Sequence, residues 1–323
     1  MLGIMHAADR LLASSRSTGS IACVGLDPRP NLIPPSLVSS VTSRFDDPVD
    51  QVCAAFAEFN AEILRAVAGA CAVVKPQAAC YEAYGWRGWR VLADTVELAQ
   101  ELGIPVIVDA KRSDIGSTAV HYREAVLTAP PGFAGTIAED ANPGLQGDWI
   151  TINPYLGADS VAPLIGDASE GKGAFVLVRT SNPGAVDFQD QRLAPDASDV
   201  TETLSDVVAA AVNQWGHDRK GESGMSDVGA VVGATWPDEA RRLRSLMPES
   251  FFLVPGYGAQ GGTAATAVAG ARADGTGLVV NSSRGIIGAW QNADGGEGND
   301  KFGHWAREAL DAMNIDLNQA LEA

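Results

Sequence analysis

Residues 104–114 read Ile104-Pro105-Val106-Ile107-Val108-Asp109-Ala110-Lys111-Arg112-Ser113-Asp114. The apolar, largely β-branched run that opens this stretch has the composition of a short strand buried on both faces of a parallel sheet. Side chains alternate faces along a strand, so Asp109 and Lys111 leave the same face at its C-terminal end. Asp114 follows three residues on, where the chain turns into a helical pattern. Two carboxylates beside one ammonium at the end of a buried strand must be paired or neutralised. A cluster that costly marks a site more readily than a brace.

Outward from this stretch, short apolar runs alternate with helical patterns. Candidate strands occupy 21–27, 71–75, 106–111, 149–153, 174–180, 228–234, 251–255 and 277–281. Between them, 49–67 places Val52, Phe56, Phe59, Ile63 and Val67 at helical spacing, with Asp47 as N-cap and Pro48 as the first helical residue. Residues 88–102 carry Val91, Leu92, Val96 and Leu98 in a second such pattern. Eight strands alternating with helices predict an α/β fold, a (β/α)8 TIM barrel. The length of 323 residues suits one barrel domain over 1–323. The acid-rich stretch 184–226, with one amphipathic segment near 200–215, reads as an insertion after strand five. Residues 292–300 read as a Gly/Asp/Asn-rich loop before a short terminal helix.

Composition excludes several functions. A net charge of −17 argues against nucleic acid and anionic membrane surfaces as partners. An anionic substrate would have to be drawn in by a few local Lys and Arg residues. Cys23, Cys53, Cys71 and Cys80 form no CxxC pair and lack His partners at zinc spacing, so they read as reduced thiols of a cytoplasmic protein. No apolar stretch reaches the roughly 18 residues of a membrane span, and Met1–His6 lacks the pattern of a signal peptide.

The strand ends are chemically unequal. The C-terminal ends carry Asp27, Lys75, Gln77, Asp109, Lys111, Asn153, Arg179, Ser181, Asn182, Gln260 and Arg284, whereas the opposite ends begin with Ser20, Ala72, Pro105, Gly173 and Gly229. Barrel enzymes keep their active sites at the C-terminal ends, and a packed scaffold has no reason to load one end. After strand seven, Gly256-Tyr257-Gly258-Ala259-Gln260-Gly261-Gly262 would free backbone N–H groups for an anion ahead of a helix over 263–273. Barrels often hold phosphate with the loops after strands seven and eight, and Arg284 is placed to grip one. The same glycines match G-x-G-x-x-G, but that dinucleotide fingerprint belongs after a first strand; a purely structural turn is the third reading.

Blander readings stand beside these. Asp114 alone is equally an N-cap of the helix that follows, Asp27 before Pro28 can simply start a turn, and Lys75 either reaches solvent or pairs with Asp109. His6, His121, His217 and His304 are isolated.

Taken together, the run Val108-Asp109-Ala110-Lys111-Arg112-Ser113-Asp114-Ile115-Gly116-Ser117-Thr118 resembles the D-x-K-x-x-D-I-x-x-T signature of orotidine 5′-phosphate decarboxylases. Val24–Pro28, Val74–Gln77, Asn153–Gly157, Arg179–Pro183, Val232–Thr235 and Val254–Gly262 are similar to the longer bacterial branch (type 2) of that family, in the expected order from residue 24 to about 288. Ser113 stands where the family pattern has glycine. The resemblance implies cofactor-free decarboxylation of orotidine 5′-phosphate to UMP and CO₂, with Lys111, Asp109, Asp114 and Lys75 catalytic. It further implies that Asp27 binds the ribose and Ser181 with Asn182 the pyrimidine. Gln260, Arg284, Gly256 and Gly258 would hold the phosphate, and Asp114 and Thr118 would serve the neighbouring subunit of a homodimer with shared sites. Two alternatives remain: a Mg²⁺-dependent sugar-phosphate enzyme carrying the same cluster, and a catalytically inactive phosphate-binding barrel.

Overall fold

The computed structural model describes residues 4–133, 135–136, 144–193, 203–292 and 300–323. Among them, eight parallel strands alternate with helices: β1 Ala22–Leu26, β2 Val73–Pro76, β3 Ile107–Arg112, β4 Trp149–Ile152, β5 Gly173–Arg179, β6 Ser226–Val232, β7 Ser250–Val254 and β8 Leu278–Ser282. Their order in the sheet is β2-β1-β8-β7-β6-β5-β4-β3. The remaining seam is crossed by parallel bridges Val74 to Val106 and Gln77 to Asp109, so the sheet curls into a barrel. Every expected strand is present, with ends shifted by a residue or two.

The period-2 alternation of each strand decides where the site can be. Inward-facing Cys23, Val73, Ile107, Trp149, Phe175, Phe251 and Val279 pack as one cluster in the lower barrel, with the Trp149 and Phe175 rings 4.7 Å apart. The helix Ala7–Thr18 closes this floor by contributing Ala7, Ala8, Leu11 and Leu12 to the same cluster. Two residues further along four of these strands the inward positions turn polar: Val73 gives way to Lys75, Ile107 to Asp109, Trp149 to Thr151 and Val279 to Asn281, while Leu177 and Leu253 keep the other side apolar. The floor is filled, so the barrel opens at its C-terminal mouth.

Helices behave as their sequences dictate, with three corrections. Pro48–Val67 begins as expected, Asp47 accepting hydrogen bonds from Val49 N and Asp50 N. The second amphipathic pattern starts a turn early, as Gly85–Glu101. The helix expected over 263–273 is only Ala264–Ala267: the chain turns over 268–270, where Gly270 packs close against the Phe252 ring. The terminal helix is long, Phe302–Glu322, with Ala306, Leu310, Met313 and Leu317 buried along one stripe. Within 184–226, the helix Leu204–Gly216 opens with a Thr203/Asp206 capping box and buries Ala209 and Val212 in the main core. It is therefore the helix of the fifth β/α unit, and the surplus over an ordinary unit lies before it. Residues 194–202 of that stretch and 293–299 of the expected Gly-rich loop lie outside the described residues.

Cys23, Cys53 and Cys71 are buried, Cys80 is half-buried, and all four are free thiols. Among the described residues no helix is long and apolar enough to cross a membrane.

Candidate active site

Asp109 is the hub of the mouth. Its Oδ2 accepts hydrogen bonds from Lys75 Nζ at 2.8 Å and Gln77 Nε2 at 3.0 Å. Its Oδ1 accepts from Lys111 Nζ at 2.5 Å and Thr151 Oγ1 at 2.8 Å. Burial alone would raise the carboxyl's pKa, but the two ammonium groups outweigh it and hold Asp109 well below the usual carboxylate range. Lys75 is equally buried, and Asp109 and Asp27 hold it charged, its pKa above the ordinary lysine value despite desolvation. Asp109 and Lys75 are thus locked ionised.

The backbone contributes as well. Lys111 sits at φ +48°, a left-handed conformation rare for a residue with a side chain. The β3–β4 register shifts between Val108 and Arg112, and Lys111 N donates to Thr151 Oγ1 at 2.9 Å. Thr151 therefore grips both the carboxylate and the strained backbone. Ser113 is not at positive φ, so no glycine is required there.

A cavity of about 1030 Å³ opens above this cluster. Of the residues singled out from sequence, Lys75, Asp109, Lys111 and Asp27 line its floor, and Ser181, Asn182, Gly256, Gln260 and Arg284 line its sides. Asp27 Oδ1 lies 3.9 Å from Lys75 Nζ and is buried without a hydrogen-bond partner. Gly25 lets the β1 and β8 ends close up: a Cβ there would fall 1.9 Å from Ser283 Oγ, beside Arg284.

Three expectations change. Asp114 does not join the Asp109–Lys111 cluster of its own chain. The left-handed step at Lys111 and the turn after β3 carry it outward, where its carboxylate accepts from Ile115 N at 2.8 Å. Nor is it an N-cap, because Ile115 precedes the helix Gly116–Val126 and no side chain caps it. Thr118 is exposed on that helix's first turn. Third, the glycine loop spends some of its own amides: Gly258 N donates to Gly262 O at 2.8 Å and Gly262 N to Gly256 O at 3.0 Å. Gly258 lies off the cavity lining, and with a four-residue helix behind it the loop offers little helix dipole. Gln260 and Arg284 line the cavity there and carry side-chain N–H groups. Tyr257 OH ties the loop to the terminal helix through Asp316 at 2.8 Å, and burial together with that carboxylate pushes the phenol up to about 12.

Sequence reasoning missed Thr151 and gave Gln77 no role. Thr151 was discoverable as the lone hydroxyl in the apolar run Trp149–Ile152, on the face where the neighbouring strand carries Asp109. Phe188 and Gln189, which line the wall, carried no signal.

Residues 22–295 match the orotidine 5′-phosphate decarboxylase / HUMPS family. Over 320 residues the chain is 41% identical to the Rhodopirellula baltica protein named orotidine 5′-phosphate decarboxylase, spanning 99% of this chain and 100% of that one. A Caldicellulosiruptor saccharolyticus protein of the same name is 38% identical over 290 residues, 90% of this chain and 92% of that one. The solved structure of Leishmania donovani OMP decarboxylase superposes with a TM-score of 0.71 at 30% identity, covering 99% of this chain and all of that one. The chain belongs to the orotidine 5′-phosphate decarboxylase / HUMPS family.

Proposed function

We infer that this chain decarboxylates orotidine 5′-phosphate to UMP and CO₂, the last step of de novo pyrimidine nucleotide synthesis, without a cofactor. The observation that carries the reading is the hydrogen-bonded Lys75–Asp109–Lys111 array at the floor of a cavity with Arg284 and Gln260 on its side. When the bond from C6 to the carboxylate breaks, CO₂ leaves and the electron pair stays on C6. The carbanion has no good resonance sink, so the barrier must fall through fixed charge and positioning. Lys111 Nζ, held by Asp109, stabilises that pair and then gives its proton to C6. Asp109 repels the substrate carboxylate, which disfavours the ground state more than the transition state that sheds CO₂. Asp27 and Lys75 bind the ribose hydroxyls, Ser181 and Asn182 the pyrimidine, and Gln260 and Arg284 the phosphate. Phosphate binding far from C6 supplies energy for assembling the site.

The active form in this reading is a homodimer in the cytoplasm. Ile115, next to Asp114 in the chain, is 55% exposed, and Phe133, ahead of β4, and Tyr155 and Leu156, just after it, are 116%, 80% and 48% exposed. A second copy seated on these side chains would bury them and bring Asp114 to the partner's Lys111. The domain reading follows as one barrel, with the surplus after β5 belonging to it.

The test is the loss of orotate absorbance from orotidine 5′-phosphate on adding purified protein, with and without EDTA. Turnover unaffected by chelation supports the reading. No turnover defeats it, and turnover lost only with EDTA favours a metal-dependent relative.

A further inference from the structure

The stretch just past β5 is wired into the site by contacts that catalysis has not so far required. Arg179, the last residue of β5, is fully buried. Its guanidinium lies over the Trp236 ring at 4.0 Å, its Nη2 donates to Asp190 Oδ2 at 3.0 Å, and its Nη1 to Thr180 O at 3.3 Å. Trp236 Nε1 donates to the same Thr180 carbonyl at 3.2 Å. Gln189 completes the tie: its Oε1 accepts from Thr180 N at 2.8 Å and its Nε2 donates to Thr180 Oγ1 at 2.9 Å, which in turn donates to Asn182 Oδ1 at 2.7 Å. Gly233 lets β6 press against this bend, since a Cβ there would lie 2.8 Å from Ser181 Cα. Three groups from outside the bend thus hold Thr180, and Thr180 sets where Ser181 and Asn182 face the cavity.

We propose that Arg179, Asp190, Gln189 and Trp236 form a latch of positioning residues that fixes the base-reading loop Thr180–Asn182. In this proposal the segment 183–190 is a working wall of the site and not a decorative insertion. The proposal rests on the decarboxylase reading, in which Ser181 and Asn182 meet the pyrimidine. A buried guanidinium both stacked and ion-paired has essentially one orientation. It is a stiff anchor, and stiffness is what a loop needs if its hydrogen bonds are to discriminate a base edge. Asp190 is the piece to remove, because its side chain is 37% exposed and its loss opens no large hole.

Among the described residues the latch's hydrogen bonds run to Thr180 and none to Gly256, Gln260 or Arg284, so the two ligand halves separate its role from simple stability. Asp190→Ala and Trp236→Phe should each weaken UMP binding about tenfold, measured by calorimetry on the intact protein. Binding of ribose 5-phosphate, which lacks the base, should stay within about twofold of wild type. Arg179→Lys, which keeps the charge and loses the planar stack, should fall between wild type and Asp190→Ala. UMP affinity unchanged in Asp190→Ala and Trp236→Phe would overturn the latch, as would equal weakening of both ligands. Wild-type protein that binds neither UMP nor ribose 5-phosphate would instead defeat the decarboxylase reading on which it rests.

Discussion

At the N-terminal end of the barrel, Arg244 donates to the carbonyls of Gly270, Met247, Ser250 and Gly277 while lying 3.7 Å from the centre of the Phe252 ring. Nearby, Arg219 clasps fully buried Asp227 through Nε at 2.9 Å and Nη2 at 2.7 Å. At the C-terminal end, Lys75, Asp109 and Lys111 are also interlocked, yet Lys111 remains 46% exposed to a cavity and its backbone is left-handed. Both ends bury charge, so burial and pairing do not by themselves separate a brace from a site. What separates them is spare capacity. Arg244 and Arg219 spend their donors on protein carbonyls and carboxylate, whereas Asp27 Oδ1 has no hydrogen-bond partner and Lys111 stands half-exposed at a cavity that a ligand can fill.

The largest test of that difference is Lys111→Ala. Turnover should fall about 10⁴-fold or more, because the substitution removes both the proposed proton donor and the proposed carbanion-stabilising charge. The fold should survive, since Asp109 keeps Lys75, Gln77 and Thr151. A kcat above about a tenth of wild type would move the donor role to another group.

Next comes the proposed subunit boundary. Asp114→Ala alone should also be nearly inactive, yet mixing it with Lys111→Ala should restore roughly a quarter of wild-type activity. Random exchange makes about half the dimers mixed, each with one intact site. Activity that stays flat after verified exchange would return Asp114 to its own chain's surface.

Thr151→Val is smaller and more specific. It removes one donor to Asp109 and the acceptor for Lys111 N without changing volume much. We expect kcat to drop about tenfold to a hundredfold with KM little changed, and Thr151→Ser to recover most of it. An unchanged kcat would mean that the strained backbone holds Lys111 unaided.

The barrel itself was legible because its signals are local: apolar runs at regular intervals, and a polar residue at one end of nearly every run. Asp109, Lys111, Lys75 and Asp27 were readable for the same reason, each standing at a strand end. Asp114 was misplaced relative to its own Lys111 because sequence spacing carries no dihedral, and one left-handed residue redirects the three that follow. The glycine loop misled in the opposite sense: its composition promised free amides, but a loop that tight satisfies part of itself. Thr151 and the Arg179 latch depend on which strands become neighbours in the closed barrel, and that is a property of the whole chain.

At the opposite end, Arg244→Met should cost about 2 to 3 kcal/mol of stability by orphaning carbonyls that now share one guanidinium, with kcat per folded molecule unchanged. Parallel denaturant melts and assays check this. A kcat loss on the scale of Thr151→Val would erase the distinction between the two ends.

The smallest expected effect lies in the acid limb of stability, where the two ends should differ in sign. Asp109 has its folded pKa depressed by two lysines, so its contribution is present above the unfolded value near 4 and is lost as pH falls below that. For Asp227 burial outweighs Arg219 and the more distant His6, and its folded pKa is raised. A raised carboxyl favours the folded state when protonated, so its contribution is present below the unfolded value and is lost as pH rises through the folded one. As pH falls toward the unfolded value near 4, then, Asp227 should partly offset the destabilisation that depressed carboxylates bring. Asp227→Asn should therefore show a steeper fall in urea midpoint over that window than wild type, while Asp109→Asn should show a shallower fall below pH 4. If Asp227→Asn instead flattened the limb, Arg219 would be outweighing burial. The floor would then hold Asp227 as the mouth holds Asp109, and only the cavity and the strained Lys111 would still set the two ends apart.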